Sequence, residues 1–219
     1  MTKPTAVTLE VGAKKVFASA VDWPGWCRAA KTEEAALEAL DAYAQRYAEV
    51  VDRAGVRFPK SASAAFEVVE RVPGSATTDF GVPGEITPGD AERLTAARAT
   101  RQAALVGAAW QVFDRIAAET PEELRKGPRG GGRDRDKMID HVLSAEAAYA
   151  RKLGVKHRPP ALADTAAIKA LREDILAVLS RAFDGSLPVP KGWPPRYAAR
   201  RIAWHVLDHA WEMQDRTER

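Results

Sequence analysis

Three of the chain's four histidines lie in segments with helical spacing, where three imidazoles could reach one point. His205 and His209 are four residues apart, so on a helix they project from one face, one turn apart. His141 belongs to an earlier predicted helix, which a bundle could place opposite that face. Three neutral imidazoles with one open position are a common ligand set of catalytic zinc. The spacing therefore predicts a site for one divalent metal ion, whereas His157 lies in a predicted loop and is assigned no role.

The neighbours of these histidines support a site. At 100° per residue, Arg201, Asp208 and Glu212 share the stripe of His205 and His209. A carboxylate there could accept the second ring N–H of a ligating imidazole and fix its tautomer, which makes Glu212 and Asp208 candidate catalytic residues. Small residues flank His141 and would leave a cavity beside the ion: Ser144, Ala145 and Ala148. The alternative is that these are ordinary histidines on a polar helix face.

Four long helices must position this cluster. Helical periodicity predicts them at about 90–119, 134–153, 164–183 and 194–216, with Pro194 and Pro195 in the first turn of the last one. Four helices of this length with these connections predict an all-α four-helix bundle in the C-terminal part.

Two sequence runs carry a family resemblance, IAWHVLDHAWE at 202–212 and DHVLSAE at 140–146. They resemble the DinB-like family, whose members are four-helix bundles with one histidine on the second helix and an HxxxH pair on the fourth. The resemblance covers residues 90–216 and implies that His141, His205 and His209 bind zinc or nickel. It also implies an up-down-down-up topology, for which the segment 154–163 supplies a long crossover.

The same resemblance implies a function. Characterised relatives include metal-dependent thiol transferases and a mycothiol-dependent isomerase, so we expect a metal-dependent enzyme that uses a low-molecular-weight thiol such as mycothiol. Its partner would be a small-molecule ligand. Two alternatives stay open: a non-catalytic module that binds a metal or ligand and signals through the N-terminal domain, and a purely structural metal site.

A glycine- and arginine-rich run, KGPRGGGRDRD at 126–136, precedes the second predicted helix. Glycines allow backbone N–H groups to face an anion, and guanidinium groups pair with carboxylates or phosphates. We therefore predict a substrate-binding role for Arg129, Arg133, Arg135 and Ser144. The alternative is a flexible loop with solvated charges, in which Asp134 or Asp136 caps the helix.

The N-terminal part has mixed periodicity. Residues 7–11, 16–21 and 66–72 alternate like strands, a turn occupies 22–26, and a helix begins after Thr32 and ends at Gly55. The run FASAVDWPG at 17–25 and the following helix resemble the HicB-type antitoxin fold over about 8–51. We expect a small strand-strand-helix-strand domain that covers the bundle or forms a homodimer contact. Cys27 is expected to be inert.

The predicted fold class is therefore α+β, with domains at 1–72 and 90–219 and a linker at 73–89. A net charge of +3 is too small to predict nucleic-acid binding. A single cysteine permits no internal disulfide, which fits a reducing compartment. Without a long apolar segment we expect no membrane partner and a cytoplasmic protein.

Overall fold

The computed structural model describes residues 4–58, 66–127 and 131–217, and the fold is α+β. A four-stranded sheet comes first, and long helices follow it. The strands are β1 (Thr5–Val11), β2 (Val16–Ala20), β3 (Cys27–Ala30) and β4 (Phe66–Pro73). The α-helices of the described residues are α1 (Glu33–Ala42), α2 (Ala44–Arg53), α3 (Ala76–Phe80), α4 (Ala96–Glu119), α5 (Arg135–Lys152), α6 (Thr165–Leu179) and α7 (Pro195–Thr217).

The sheet has the strand order β3-β2-β1-β4, with β1 and β4 parallel and the other neighbours antiparallel. The predicted order strand, strand, helix, strand is wrong in two places. A short third strand, β3, pairs with β2 directly after the turn; it has four residues and no apolar alternation, so periodicity could not reveal it. The helix after Thr32 is two helices that meet at Tyr43, a break that neither glycine nor proline marks.

The predicted linker is ordered by side-chain caps. Ser75 caps the short helix α3, and Thr87 and Asp90 cap a 3₁₀ turn at Pro88–Ala91 through reciprocal side-chain bonds. Because Asp90 is used in that cap, the following helix begins at Ala96 after the N-cap Thr95 and not at Asp90 as predicted. Phe80 at the end of α3 is 84% exposed.

Polar contacts tie this connecting segment to both parts of the chain. The Glu10 carboxylate of β1 accepts the Thr78 hydroxyl at 2.5 Å and the backbone N–H groups of Gly84 and Glu85, each at 3.1 Å. On the other side, the Tyr197 hydroxyl of α7 donates to the Gly84 carbonyl at 2.9 Å. The segment therefore connects the sheet with α7 through specific hydrogen bonds as well as through the chain.

The long helices pack on one another and on the sheet layer. Helix α4 contacts α7, α6 and α2, and α5 contacts α7 and α6. One hydrophobic core runs from Leu9 and Trp26 of the N-terminal part to Phe113 and Ile202 of the helices. The division into two domains with a linker stays a prediction.

Most ends of the four long helices lie within one residue of their predicted positions. Helices α5 and α7 begin and end within one residue of their predicted ranges. Helix α6 ends at Leu179, before the predicted 183, because Phe183 leaves the helical path and forms a β-bridge with Leu94. Among the helices that the structure describes, none combines the length and apolar composition needed to cross a bilayer.

Candidate metal centre

The three helical histidines converge between α5 and α7. His141 lies in the second turn of α5, and His205 and His209 lie one turn apart on α7, which packs against α5. The ring centroids are 5.1 Å apart for His141 and His205, 5.0 Å for His141 and His209, and 4.7 Å for His205 and His209. One ligand nitrogen from each ring lies within 4.8 Å of the other two. The predicted cluster therefore exists as a spatial group.

One pair of ligand nitrogens has the spacing that a small divalent ion requires. His205 Nε2 and His141 Nε2 are 3.2 Å apart. Two imidazole nitrogens bound to one tetrahedral zinc at about 2.05 Å would be about 3.3 Å apart. Among the residues that the structure describes, no carboxylate or thiol joins the group as a fourth ligand. The donor set is thus three imidazoles, without a fourth protein ligand among the described residues.

Burial favours the neutral form of two of these imidazoles. His205 is only 6% exposed, and its Nδ1 is buried without a hydrogen-bond partner in the described part of the chain. Burial, followed by the nearby His209, lowers the pKa of His205 well below its ordinary value. Burial and then the Arg133 charge lower the pKa of His141 as well. Neutral imidazole is the metal-binding form, so both shifts favour a ligand role.

Glu212 orients the third imidazole. Its Oε2 lies 3.1 Å from His209 Nδ1, where a carboxylate accepts the ring N–H and leaves Nε2 free for an ion. The other oxygen, Oε1, accepts Arg216 Nη1 at 3.0 Å. The His209 hydrogen bond and then burial, Arg216 and their charges set the pKa of Glu212, with a net lowering from its usual range. An ionised Glu212 is therefore built into the site.

Arg216 connects this carboxylate to the glycine-rich loop. Its Nε donates to the Arg125 carbonyl at 2.7 Å, and its Nη1 donates to the Arg133 carbonyl at 2.8 Å. A Cβ at Gly132, whose φ is +113°, would come within 2.8 Å of the Arg216 guanidinium, so only glycine suits this close approach. Arg216 is a functional residue that the sequence analysis missed, although its i, i+3, i+7 spacing with His209 and Glu212 signals a shared face.

The predicted arginines of the loop have different positions. Arg133 is exposed, and its charge acts on both His141 and His205. Arg135 is used elsewhere: it pairs with Asp136 at 2.7 Å and donates to the Thr120 carbonyl. Arg129 lies outside the described residues. Asp134 occupies the N-cap position, but its carboxylate accepts from Leu124 N–H and Lys126 and makes no cap bond.

The remaining predicted site residues differ in their partners and in their exposure. Asp208 pairs with Arg28 of β3 at 3.1 Å and has no described hydrogen bond to a histidine. Ser144 is exposed on α5, one turn after His141. Arg201 donates to the Tyr149 hydroxyl at 3.2 Å, and the Tyr149 ring lies 5.7 Å from that of His205. Tyr149 thus forms an aromatic wall of the site that the sequence analysis did not identify.

No family model, curated protein or solved structure matches this chain. The functional interpretation therefore depends on the geometry above. That geometry consists of three converging imidazoles, an ionised carboxylate that orients one of them, and a loop fixed beside them through Arg216.

Proposed function

We propose that His141, His205 and His209 bind one zinc or nickel ion, and that the chain is a metal-dependent enzyme of the DinB-like type. The observation that carries this proposal is the convergence of three imidazole nitrogens within 4.8 Å, with no fourth ligand in the described residues. A structural zinc site is normally closed by four protein ligands, whereas a catalytic site keeps a position for water or substrate. The open donor set favours the catalytic kind.

The arrangement of the long helices supports the family part of the proposal. Helices α4 to α7 would form the DinB-like four-helix bundle, with His141 on the second helix and the HxxxH pair on the fourth. The connection from Leu153 to Asp164 would be the crossover that this family's topology requires. Helix α2 packs on α4, and the sheet meets α7 through Phe17 and Trp204, whereas the histidines lie between α5 and α7.

The chemistry proposed for the site is transfer or isomerisation with a low-molecular-weight thiol such as mycothiol. A divalent ion held by three neutral ligands keeps its charge and would stabilise the thiolate form of a bound thiol near neutral pH. Glu212 fixes the tautomer of His209. Arg133, exposed beside the cluster, would attract the carboxylate of the thiol or of the electrophile, and Ser144 would contact the same ligand from α5.

Metal content is the first test. Purified protein should bind about one zinc or nickel per chain, measured by elemental analysis and by titration of the metal-free protein. His209→Ala should abolish binding. His157→Ala is the matched control, because His157 pairs with Asp174 at 2.7 Å and lies outside the cluster. Stoichiometric metal retained in a protein that lacks His141, His205 and His209 would contradict the assignment.

Turnover is the second test. Metal-loaded and metal-free proteins are compared with mycothiol, bacillithiol, glutathione and cysteine against monochlorobimane. We expect a metal-dependent rate with at least one thiol, lost in His209→Ala. Arg133→Ala should raise KM while metal content stays unchanged, because the ion remains in place. If protein that holds its ion gives no rate above background with any thiol, the non-catalytic binding module becomes the better interpretation.

A further inference from the structure

A second cavity, of about 270 Å³, lies at the junction of the sheet, the 3₁₀ turn and the N-terminal ends of α4 and α7. We call it the junction cavity. Its floor is a row of polar residues in register across three strands, with Thr8 of β1 between Ser19 of β2 and Glu70 of β4. Its roof is formed by arginines from the helices: Arg98, Arg196 and Arg200. Charged and hydroxyl groups thus line it on both sides.

Arg196 is the unusual member of this lining. It is only 5% exposed, yet it makes no hydrogen bond or ion pair within the residues that the structure describes. Its Nε is fully buried without a partner. Burial and then the Arg98 charge lower the pKa of Arg196, against the opposing charges of Asp22, Asp90 and Glu92. A buried guanidinium is costly unless it is paired, so a missing anion is indicated.

The other two arginines already have partners. Arg200 forms a two-pronged ion pair with the buried carboxylate of Asp90, with Nη2 at 2.6 Å and Nε at 2.9 Å. Arg98 pairs with Asp22 at 2.8 Å. Arg196 is therefore the roof cation whose charge the described residues leave without an ion pair.

We propose that the junction cavity binds a small carboxylic acid that also carries an amino or hydroxyl group, and that Arg196 pairs with its carboxylate. Glu70 and Thr8 line the same cavity from the strands, and the exposed residue Glu92 also belongs to its lining. These acceptors disfavour a bare, highly charged anion and match an ammonium or hydroxyl donor. An amino acid or a 2-hydroxy acid has both groups, and the cavity is close to the size of small-ligand sites.

This site is separate from the proposed metal centre. Arg196 precedes His205 by nine residues on α7, a rise of about 13 Å along the helix axis. The two sites also differ in their walls, since the sheet contributes to the junction cavity and α5 contributes to the histidine cluster. Ligand binding in the junction cavity should therefore be unchanged in His209→Ala, which lacks the metal.

Binding is tested by thermal shift and calorimetry at constant ionic strength, with glycine, glutamate, lactate, acetate and inorganic phosphate as probes. We expect an amino or hydroxy acid to raise the Tm of the wild-type protein. Arg196→Met should lower its affinity by roughly 10- to 100-fold, the range of a charged hydrogen bond. Arg151→Met, an exposed arginine at the end of α5, is the matched control and should bind as the wild type does.

Three results would overturn the proposal: no probe binds, phosphate is the only probe that binds, or Arg196→Met binds as tightly as the wild type. If Arg196→Met does not fold, Thr8→Val replaces it, because this substitution keeps the shape of the floor and removes its hydroxyl. A several-fold weaker affinity of Thr8→Val then supports the site, and an unchanged affinity contradicts it.

Discussion

Helix α5 has polar groups on two sides, and they differ in how completely the protein satisfies them. On one side, Glu146 is 1% exposed and forms a double hydrogen bond with Arg172 of α6, at 3.1 and 3.3 Å. Arg172 also binds Asp114 of α4 at 2.8 Å. On the other side, about 140° around the helix, His141 meets His205 and His209. There, His205 Nδ1 has no partner among the described residues.

This difference separates a structural cluster from a candidate binding site. Arg172 pairs with the carboxylates of both Glu146 and Asp114, and these ion pairs link α4, α5 and α6. The three charged side chains therefore have partners within the protein. The three imidazoles bring ligand nitrogens together, and among the described residues only His209 has a carboxylate partner, Glu212. A buried polar group that its own chain leaves unsatisfied requires an explanation, and a bound ion, water or ligand is one. The Arg196 guanidinium in the junction cavity belongs to the same class.

The largest loss of stability should follow from breaking the ion pairs of Glu146, Arg172 and Asp114. Arg172→Met leaves Glu146 buried without its partner, so we expect a loss of about 3 to 5 kcal/mol in the free energy of unfolding. Urea denaturation measures this loss. Metal bound per folded chain should not change. The double variant Glu146→Leu with Arg172→Met should regain much of the stability, and a metal content that falls in parallel with stability would show that the two clusters are coupled.

A smaller effect, on metal affinity, should follow from removing the charge that orients His209 in the histidine cluster. Glu212→Gln keeps the size of the side chain but removes the charge that orients His209 and binds Arg216. We expect metal affinity to fall by about 10- to 100-fold with little change in unfolding, as for other residues that orient metal ligands. Competition with a chromophoric chelator measures the affinity. Glu173→Gln, on the exposed face of α6, is the control, and equal losses in both variants would remove Glu212 from the site.

Helix periodicity predicted those features of the two clusters that lie within a single helix. The HxxxH pair, Glu212 and the ranges of α5 and α7 could be read from spacing, because one helix fixes the relative direction of its own side chains. Contacts between distant elements could not. The pairing of Asp208 with Arg28 of β3 and the use of Asp90 by Arg200 depend on which strand and helix come together. Asp208 was therefore given another role in the sequence analysis, and residue 90 was placed at the start of a helix.

The smallest effect on activity is expected from replacing Cys27. Like Glu146, Cys27 is buried and has a hydrogen-bond partner within the protein. It is 4% exposed, and the Ser19 hydroxyl donates to its sulfur at 3.0 Å. Burial raises the pKa of the Cys27 thiol to about 12, so almost no thiolate forms at pH 8. We expect negligible reaction of the folded protein with a disulfide reagent at pH 8, and one thiol per chain after unfolding in urea. Cys27→Ser should retain any metal-dependent thiol transfer in full. This bears on the proposed chemistry: because burial disfavours the Cys27 thiolate, the nucleophile that the proposal requires would be an external thiol. Rapid labelling of the native protein, or loss of turnover in Cys27→Ser with its metal retained, would move the nucleophile to Cys27 and away from the proposed cofactor.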